Sequence, residues 1–486
     1  MPTTKALTQL KEYNRLQCIN HLPLELLSHI FLLCDEDTSY DKETPSKYIQ
    51  VVAPAVCCHW RKVALGTTAL WTTIRIMNPA PCKRTALYLA HSGSGASLDI
   101  KILIISPEIR KGDKLRELHT YAQQALITFN FIISNGGSPS RWKRLSFGTN
   151  IFACCSVAID FLSKADLSSL ENLDFVGMGP WPDHPEDGKM FMDSYNGETT
   201  PKPLFLESPP QLRSIRLEGV LDSCLFGDIS RPHLAGLTNI YIAFAGPRYP
   251  RIDHIYTMLA ASPCLIELCF NTGDLDPLED GDSVATTSTR TKIILPNLES
   301  LIFMHITNPI WNLAILQLFK APALHTLELS FWHDPDTSQQ LVDFISDQLN
   351  QSSPYFPVTL STLSFFTMMG ETPDLEPLLR AYPNLSTLRT GSIASLLKRP
   401  WLAPNLTSVD LVTQDASELK ELIIGRCGDG LPLNEVEVRF QGNEDALSGD
   451  DREQIERMVK FRFCSWQPHV LTNDEEEGSD SENNAE

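Results

Sequence analysis

A short apolar pattern recurs along this chain and constrains its fold more than any other feature. Apolar residues occupy positions 1, 4 and 6 of each copy, with Thr390 at position 6 as the exception, and eleven copies run from residues 142–147 to residues 433–438. The first residues of these outer copies, Trp142 and Leu433, are 291 residues apart over ten steps, a mean of about 29. The last two apolar residues of a copy are two apart, the spacing of one face of a β-strand. A period of this length predicts stacked structural repeats that bury a continuous core.

Turns and helical segments separate the copies. In several copies a proline stands two residues before the first apolar residue, as at Pro296 and Pro404. Residues 311–320, 339–349 and 417–424 have apolar side chains three or four residues apart, which is the spacing of a helix. Parallel strands need such a crossover, because the chain must return to the same end of the sheet. The sequence therefore predicts an α/β fold built of strand–helix repeats.

This arrangement resembles an irregular leucine-rich-repeat array. The resemblance implies a horseshoe with parallel strands on the concave face and helices or turns outside. The family's usual Asn or Cys, eight residues after the first apolar residue of a copy, occurs only as Asn150. We therefore expect uneven repeats, and we place the solenoid at residues 141–440 with a proline-rich insertion at residues 177–210.

The rest of the chain divides by composition. We assign an N-terminal lead segment at 1–18, a helical module at 19–76, a connecting helical and strand segment at 77–140, a C-terminal cap at 441–472 and a tail at 473–486. In the cap, the helical spacing of Ile455, Met458, Val459 and Phe461 predicts a terminal helix that covers the end of the array. The tail holds seven acidic residues and no basic one, so we expect it to be disordered. It serves either to solvate the chain or to bind a partner.

The helical module carries more apolar residues than a small three-helix unit can hide. Pro23 and Glu25 suit the first turn of a helix, and a polar segment at residues 35–47 separates this helix from an apolar helical run at residues 56–65. A short strand follows at residues 72–76. A module of this length has a small core, and exposed apolar residues on such a module indicate a binding partner.

The same module resembles the F-box family. The match consists of Leu22-Pro23-x-Glu25-Leu26-Leu27-x-x-Ile30-Phe31, Val56-Cys57-x-x-Trp60-Arg61-x-x-Ala64-Leu65 and Leu70-Trp71. The resemblance implies a three-helix module that docks onto the Skp-type adaptor of a cullin–RING ubiquitin ligase. It assigns to that contact Leu22, Pro23, Leu26, Leu27, Ile30, Phe31, Val56, Cys57, Trp60, Leu70 and Trp71. The open alternative is that some of these residues only hold the helices together. The chain departs from the family in a longer segment at residues 35–55 and in lacking a proline just before Leu70.

A second candidate site follows from the strand pattern. The position between the last two apolar residues of each copy points away from the core, and in a horseshoe it faces the hollow. Charged or aromatic side chains, which can anchor a protein, occupy this position as Asp174, Arg216, Tyr241, Glu328, Arg389, Asp410 and Glu437. We expect these residues to bind a protein substrate. The alternative is a solvated strand face with no dedicated ligand.

Composition excludes several other functions. The chain has 40 basic and 60 acidic side chains, a net charge of −20, which argues against a nucleic-acid-binding protein and against a surface held on anionic lipid. No apolar stretch approaches the roughly 20 residues that span a bilayer. The 12 cysteines are scattered without a CxxC pair, so we expect neither a disulfide framework nor a metal site, but reduced thiols in the cytoplasm or nucleus.

The sequence contains no HExxH, GxSxG or phosphate-binding glycine motif. We therefore expect a protein that is not an enzyme and needs no cofactor, and a hydrolase or transferase is disfavoured. The leading hypothesis is a substrate-recognition subunit of a Skp–cullin–F-box type ubiquitin ligase, in which the repeats bind a protein substrate. The alternative is a binding scaffold that acts outside ubiquitination.

Overall fold

A computed structural model describes most of the chain. The described residues are 13, 17–36, 48–77, 83–106, 115–177, 189, 203–226, 232–246, 249–275, 291–332, 335–346, 354–367, 372–413, 416–440, 447 and 449–463. The predicted acidic tail and most of the predicted insertion at residues 177–210 lie outside these ranges. The chain forms two compact units, residues 1–323 and residues 324–486.

The first unit contains a parallel sheet whose strands lie side by side in the order in which they occur along the chain. Its strands are β1 (Thr73–Met77), β2 (Leu98–Ile104), β3 (Trp142–Thr149), β4 (Asn172–Gly177), β5 (Ser214–Val220), β6 (Asn239–Gly246), β7 (Glu267–Leu275) and β9 (Ser300–Ile306). Two shorter strands, β8 (Ile293–Ile294) and β10 (Phe319–Lys320), form a separate parallel pair. The pairing keeps the phase of the repeat, because Leu145 pairs with Leu173 and Leu173 pairs with Ile215.

Helices connect the strands of the first unit. They are Leu24–Glu36, Ile49–Val56, Cys58–Gly66, Lys83–His91, Leu115–Ser134, Phe152–Leu162, Asp222–Phe226, Ile252–Ala260 and Pro309–Gln317, with short 3-10 turns at Cys18–His21, Thr68–Trp71 and Pro139–Arg141. The core lies between the strands and these helices, where the rings of Phe147 and Phe175 are 5.2 Å apart and those of Phe129 and Phe161 are 4.2 Å apart.

Asn150 stabilises the backbone of the neighbouring repeat. Its Oδ1 accepts a hydrogen bond from the backbone N–H of Ser106 at 2.9 Å, and its Nδ2 donates to the Ser106 carbonyl at 3.1 Å. A single amide side chain thus satisfies both backbone groups of one residue. The repeat position that the sequence singled out therefore holds two turns of the array together.

The second unit repeats the same architecture. Its sheet consists of β11 (Thr326–Phe331), β12 (Thr362–Thr367), β13 (Thr387–Thr390), β14 (Ser408–Thr413), β15 (Glu435–Phe440) and β16 (Lys460–Phe463). Its helices are Pro335–Ser346, Glu376–Ala381, Ala394–Leu397, Ala416–Gly428 and Gly449–Glu456. The three helical stretches expected from sequence, at 311–320, 339–349 and 417–424, overlap helices at Pro309–Gln317, Pro335–Ser346 and Ala416–Gly428. The predicted α/β class with parallel strands is confirmed, and the arrangement is compatible with a repeat horseshoe.

Both ends of the array differ from the sequence prediction. The sheet begins at β1 and β2, upstream of residue 141. These strands lack the full repeat pattern, but their apolar residues alternate with polar ones. Alternation is enough to form a strand of this sheet, because one face of the strand is buried. At the C-terminal end, the predicted helix stops at Glu456 and Phe461 lies in β16, which pairs with β15. The open edge of β15 offers unpaired backbone N–H and C=O groups. Residues 460–463 pair with that edge, and this pairing outweighs the helical spacing of the apolar residues in the sequence.

The helical module also contains a helix that the sequence pattern did not reveal. Residues 49–56 form a helix despite Pro54, upstream of the helical run that we predicted from residue 56 onward. The next helix begins at Cys58, because Cys57 adopts an extended conformation (φ −157°, ψ 172°) and its Sγ accepts a hydrogen bond from the Trp60 N–H. The predicted helix over residues 56–65 is thus divided at Cys57.

Candidate protein-binding surfaces

The helical module has a buried apolar core. Its buried members are Leu27, Phe31, Ala53, Val63, Ala64, Leu70 and Trp71. Two hydrogen bonds fix the end of the module: Trp71 Nε1 donates to the Ala64 carbonyl at 2.8 Å, and Gln50 Nε2 donates to the Leu70 carbonyl at 3.1 Å. The core also packs against the following helix, because the Trp71 ring lies 5.1 Å from the ring of Tyr88.

Apolar side chains outside this core form the helical patch, defined here as Leu26, Ile30, Leu33, Val52 and Val56. On the helix Leu24–Glu36, residues 26, 30 and 33 are four and three positions apart, so they share one face. Leu26 is 52% exposed and Val56 is 48% exposed, although both side chains are purely hydrocarbon. The helix Ile49–Val56 contacts the first helix and adds its own exposed valines. The helical patch thus combines apolar residues of one face of the first helix with two exposed valines of the neighbouring helix.

The structure sorts the eleven residues that we expected to contact an adaptor. Exposed members are Pro23, Leu26 and Val56; half-buried members are Leu22, Ile30, Cys57 and Trp60; buried members are Leu27, Phe31, Leu70 and Trp71. The buried four pack inside the module, which is the structural alternative that the sequence left open. Trp60 is also engaged within the module, because its Nε1 donates to Asn20 Oδ1 at 2.7 Å and its ring lies 5.1 Å from that of Phe31.

Six further exposed large apolar residues in the described part of the module were not among the contacts assigned from sequence. They are Ile19, Leu24, Leu33, Val51, Val52 and Leu65. Leu33 continues the spacing of Leu26 and Ile30 by one helical turn, so extending the periodicity would have identified it. The two valines lie in the helix with Pro54, and their exposure depends on how that helix packs.

On the sheet of the first unit, the predicted substrate residues Asp174, Arg216 and Tyr241 are brought together. Backbone pairing places Asp174 beside Arg216 and Arg216 beside Tyr241. The Asp174 Oδ2 accepts a hydrogen bond from the Ser146 hydroxyl at 3.0 Å, and its Oδ1 is 4.0 Å from Arg216 Nε. The Arg216 guanidinium lies 5.0 Å from the centre of the Tyr241 ring. These side chains form a continuous polar row across three neighbouring strands.

Glu218 joins this row from the next outward-facing position of β5. Arg216 donates to Glu218 Oε1 from Nε at 2.8 Å and from Nη2 at 2.6 Å. Partial burial lowers the pKa of Arg216, but the hydrogen bonds and charge of Glu218 outweigh it, and the net shift is upward. Burial raises the pKa of the Tyr241 hydroxyl, while a hydrogen bond with Asn271 opposes the shift. The row therefore combines the Arg216 cation and the neutral Tyr241 phenol with the two acidic side chains Asp174 and Glu218.

On the sheet of the second unit, Glu328, Arg389, Asp410 and Glu437 also come together. Arg389 Nε is 3.1 Å from Asp410 Oδ2, and Arg389 Nη1 is 4.0 Å from Glu328 Oε1. Arg439, which the sequence analysis did not select, donates from Nη2 to Asp410 at 3.1 Å and to Glu437 at 2.8 Å. The predicted site residues are thus linked as an ion-pair ladder along β11–β15.

Asp410 occupies the centre of this ladder. Its pKa is affected more by burial than by the charges of its neighbours. Desolvation raises the pKa of the Asp410 carboxyl despite the opposing charges of Arg439 and Arg389, and Glu437 adds to the rise. Most of the ladder's charge is compensated internally. The second sheet face therefore holds its side chains in place, with little net charge to attract a partner.

Within the described ranges, no helix is long and apolar enough to cross a membrane, and no group of three or more His, Cys, Asp or Glu residues is arranged to hold a metal ion. No protein-family model matches this chain, and no curated protein matches it significantly. A function is argued below from two of these surfaces: the helical patch, and the polar sheet face of the first unit, formed by Asp174, Arg216, Glu218 and Tyr241.

Proposed function

We propose that this chain is a substrate-recognition subunit of a Skp–cullin–F-box type ubiquitin ligase. In this role the helical module binds a Skp-type adaptor, the strand face binds a protein substrate, and the chain itself carries out no chemistry. The observation that carries the proposal is the helical patch: several exposed hydrocarbon side chains on a module that also has a buried apolar core. The resemblance of residues 22–31 and 56–71 to the F-box pattern supplies the identity of the partner.

Energetic reasoning supports a protein partner for the helical patch. Fully burying a Val or Leu side chain contributes about 1.5–3 kcal/mol, so covering several half-exposed ones contributes a few kcal/mol to binding. A helix that presents apolar residues at positions i, i+4 and i+7 matches the common mode in which a helix lies against an apolar groove. Clustered exposed apolar side chains on a small module indicate such an interface.

The polar sheet face supports the second half of the proposal. Its outward side chains are fixed by neighbours, as with Arg216 between Asp174 and Glu218. Fixed polar groups lose little conformational freedom when a partner binds. A protein that holds a substrate and a ligase at once raises the effective concentration of one near the other, and this requires no catalytic residue.

The experiment tests the helical patch with charged substitutions at exposed positions. We expect Leu26→Arg and Val56→Arg each to weaken binding of a purified Skp-type adaptor by at least about tenfold, because each places an unpaired charge in an apolar interface. The control is Ile310→Arg, which alters a 58% exposed apolar residue on the helix Pro309–Gln317. The measurement is isothermal titration calorimetry on the full chain, with the Tm of each variant as the test of folding.

Adaptor binding by both patch variants at the control's affinity, with folding intact, would remove the basis for this proposal. Affinity purification followed by mass spectrometry then separates the two functions left open by the sequence. Recovery of a cullin together with the adaptor supports a ligase subunit. Recovery of the adaptor without a cullin supports the scaffold that acts outside ubiquitination.

A further inference from the structure

Two outward-facing polar side chains of the second sheet are neighbours but do not bond to each other. Backbone pairing of β11 with β12 places Glu328 directly opposite Ser364. Phe366 lies two residues further along β12 and therefore on the same face of that strand. These three residues, Glu328, Ser364 and Phe366, are called the acceptor site here, because a carboxylate and a hydroxyl both accept hydrogen bonds.

Ser364 is almost completely buried although it faces outward. It is 7% exposed, and its hydroxyl has no hydrogen-bond partner in the part of the chain that the structure describes. Burying a hydroxyl without a partner costs free energy, so such groups are rare in folded proteins. A bound ligand, ion or water commonly supplies the missing partner. The Ser364 hydroxyl therefore marks the acceptor site as a place where a polar group binds.

Glu328 is the carboxylate of the ion-pair ladder with the weakest compensation. Across the described ranges its one ion pair is with Arg389, at 4.0 Å between Oε1 and Nη1, and the Glu328 side chain is 30% exposed. Asp410 and Glu437, in contrast, each accept a hydrogen bond from Arg439. Hydrogen bonds between a carboxylate and a cation are among the strong ones in proteins. A ligand with a cationic donor therefore adds most at Glu328.

Arg389 is the cation that such a ligand would replace at Glu328. Its Nε is 3.1 Å from Asp410 Oδ2, but the N–H is not directed at that oxygen and makes no hydrogen bond to any described residue. The guanidinium also lies 5.7 Å from the centre of the Phe366 ring. Because Arg389 is closer to Asp410 than to Glu328, it can stay with Asp410 while another cation binds Glu328.

We propose that the acceptor site binds a lysine side chain of the protein substrate. The inference rests on the proposed function and adds the chemical class of the residue that the repeats recognise. The ammonium group donates to the Glu328 carboxylate and to the Ser364 hydroxyl, and the methylene groups lie against Phe366. An ammonium is compact and carries three donors, so it bonds to two acceptors on neighbouring strands about 4.8 Å apart.

A lysine fits this site better than an arginine or a metal ion does. Arg389 already places a guanidinium over Phe366, and a second planar guanidinium would compete for the same ring. Calcium and magnesium ions take six or more oxygen ligands, whereas the acceptor site offers one carboxylate and one hydroxyl. The charges of the ladder largely cancel, so recognition depends on directed hydrogen bonds at short range and not on long-range attraction.

The test measures binding of the peptide acetyl-Ala-Ala-Lys-Ala-Ala-amide to the full chain by saturation-transfer difference NMR, which detects weak ligands. The same peptide with an acetylated lysine is the neutral probe, and a third peptide carries arginine instead. We expect the lysine peptide to bind at least about tenfold more tightly than the acetylated one. We also expect its affinity to fall with added salt.

Substitutions in the site should act in opposite directions. Glu328→Gln should weaken binding of the lysine peptide by at least about tenfold, and Ser364→Ala by about threefold, because a bond to a charged group contributes more. Arg389→Gln should tighten binding, because it removes the competing cation. The control is Glu435→Gln, which makes the same change of charge on β15, where Glu435 is already paired with two basic side chains. The Tm of each variant tests its folding.

Equal binding of the lysine and acetyl-lysine peptides would overturn this inference. Equal effects of Glu328→Gln and Glu435→Gln would also overturn it, because they would show a general attraction to an acidic chain. Tighter binding of the arginine peptide, or of free spermidine, with the same sensitivity to Glu328→Gln would overturn the assignment of lysine.

Adaptor binding is measured on the same preparations. Loss of the peptide result with adaptor binding intact removes the acceptor-site assignment alone, whereas loss of adaptor binding in the wild-type chain removes the proposed function.

Discussion

Arg426 is a charged side chain that the fold places almost entirely out of water. It is 1% exposed, and its Nη2 donates to the carbonyls of Ala403, Pro404 and Leu406 at 3.2, 3.3 and 3.1 Å. Burial, with the nearby charge of Arg399, lowers the pKa of Arg426. The helix Ala416–Gly428 is thereby attached to the turn that leads into β14. This role depends on hydrogen bonds to backbone, not on a carboxylate partner.

We predict that Arg426→Met destabilises the second unit by about 1–3 kcal/mol, because buried carbonyls lose their donor. The measurement is urea unfolding monitored by circular dichroism. The control is Arg452→Met, which removes an exposed i,i+4 ion pair with Glu456 and should change stability by less than about 0.5 kcal/mol. Equal effects of the two substitutions would show that the backbone contacts of Arg426 contribute little.

Asp410 and Glu376 should respond to neutralisation in opposite directions. The pKa of Asp410 is raised, chiefly by burial, so the folded state disfavours its charged form. The pKa of Glu376 is lowered by hydrogen bonds from Lys398 and Arg380, so the folded state favours its charged form. We predict that Asp410→Asn raises the free energy of unfolding at neutral pH and that Glu376→Gln lowers it.

The pH dependence of Tm in these two variants tests whether each carboxyl pKa is raised or lowered by folding. A carboxyl with a raised folded-state pKa adds stability as the pH falls through that pKa, and Asp410→Asn should remove this increment. A carboxyl with a lowered folded-state pKa stabilises the fold at pH values above its ordinary pKa, and this stabilisation disappears as the pH falls. Glu376→Gln should abolish this pH dependence. The measurement is Tm between about pH 3 and pH 7. A destabilising Asp410→Asn would mean that its ion pairs with Arg389 and Arg439 outweigh desolvation.

At the scale of elements, the end of the helix Leu115–Ser134 is fixed by two glycines. Gly136 has φ +90°, which ends the helix in the left-handed region that glycine favours. The N–H of Gly137 donates to the Ile132 carbonyl at 2.9 Å, and Trp142 Nε1 donates to the Gly137 carbonyl at 3.1 Å. The turn thus delivers the chain directly from the helix into β3.

We predict that Gly137→Ala destabilises the chain by about 1–3 kcal/mol through overpacking. A Cβ at this position would lie 2.5 Å from Ile132 Cγ2 and 2.9 Å from the Ile132 carbonyl oxygen. Gly95→Ala is the matched control, because a Cβ at residue 95 meets no heavy atom within 4 Å. The measurement is chemical unfolding of both variants. A neutral Gly137→Ala would show that the helix end moves to admit a methyl group.

At the scale of the whole molecule, the N-terminal module and the C-terminal segment have different structural roles. The N-terminal module presents the helical patch, whereas the C-terminal segment closes the last sheet edge with β16. Ile455 and Val459 of that segment are buried, and Lys460 Nζ is 3.0 Å from Glu435. A repeat array requires such a terminal unit, because its last repeat has no neighbour to cover its apolar face.

We predict that ending the chain at residue 446 lowers the Tm of the second unit by several degrees, because the core loses Ile455 and β15 loses its partner strand. Ending the chain at residue 472 removes only the acidic tail, which has almost nothing apolar to bury, and should leave Tm unchanged. Differential scanning calorimetry of both truncations provides the comparison. A stable chain ending at 446 would contradict the capping role.

The sequence by itself determined the repeating strands and their phase. Positions 4 and 6 of each of the eleven copies lie on a strand, and Leu145, Leu173 and Ile215 pair in register as the pattern requires. This succeeds because the pattern repeats and because a one-residue slip would turn every apolar side chain towards water. The adaptor and substrate assignments stay predictions, since they concern partners that are not part of the chain.

Only the tertiary structure decided which functional candidates face outward and which side chains share a surface. Leu26 and Leu27 are adjacent and chemically identical, yet packing of three helices exposes one and buries the other. Asp174, Arg216 and Tyr241 form one polar row although they belong to three successive strands of the sheet. Such groupings arise from strand order and register across several repeats, and a local sequence pattern contains no information about neighbours in space.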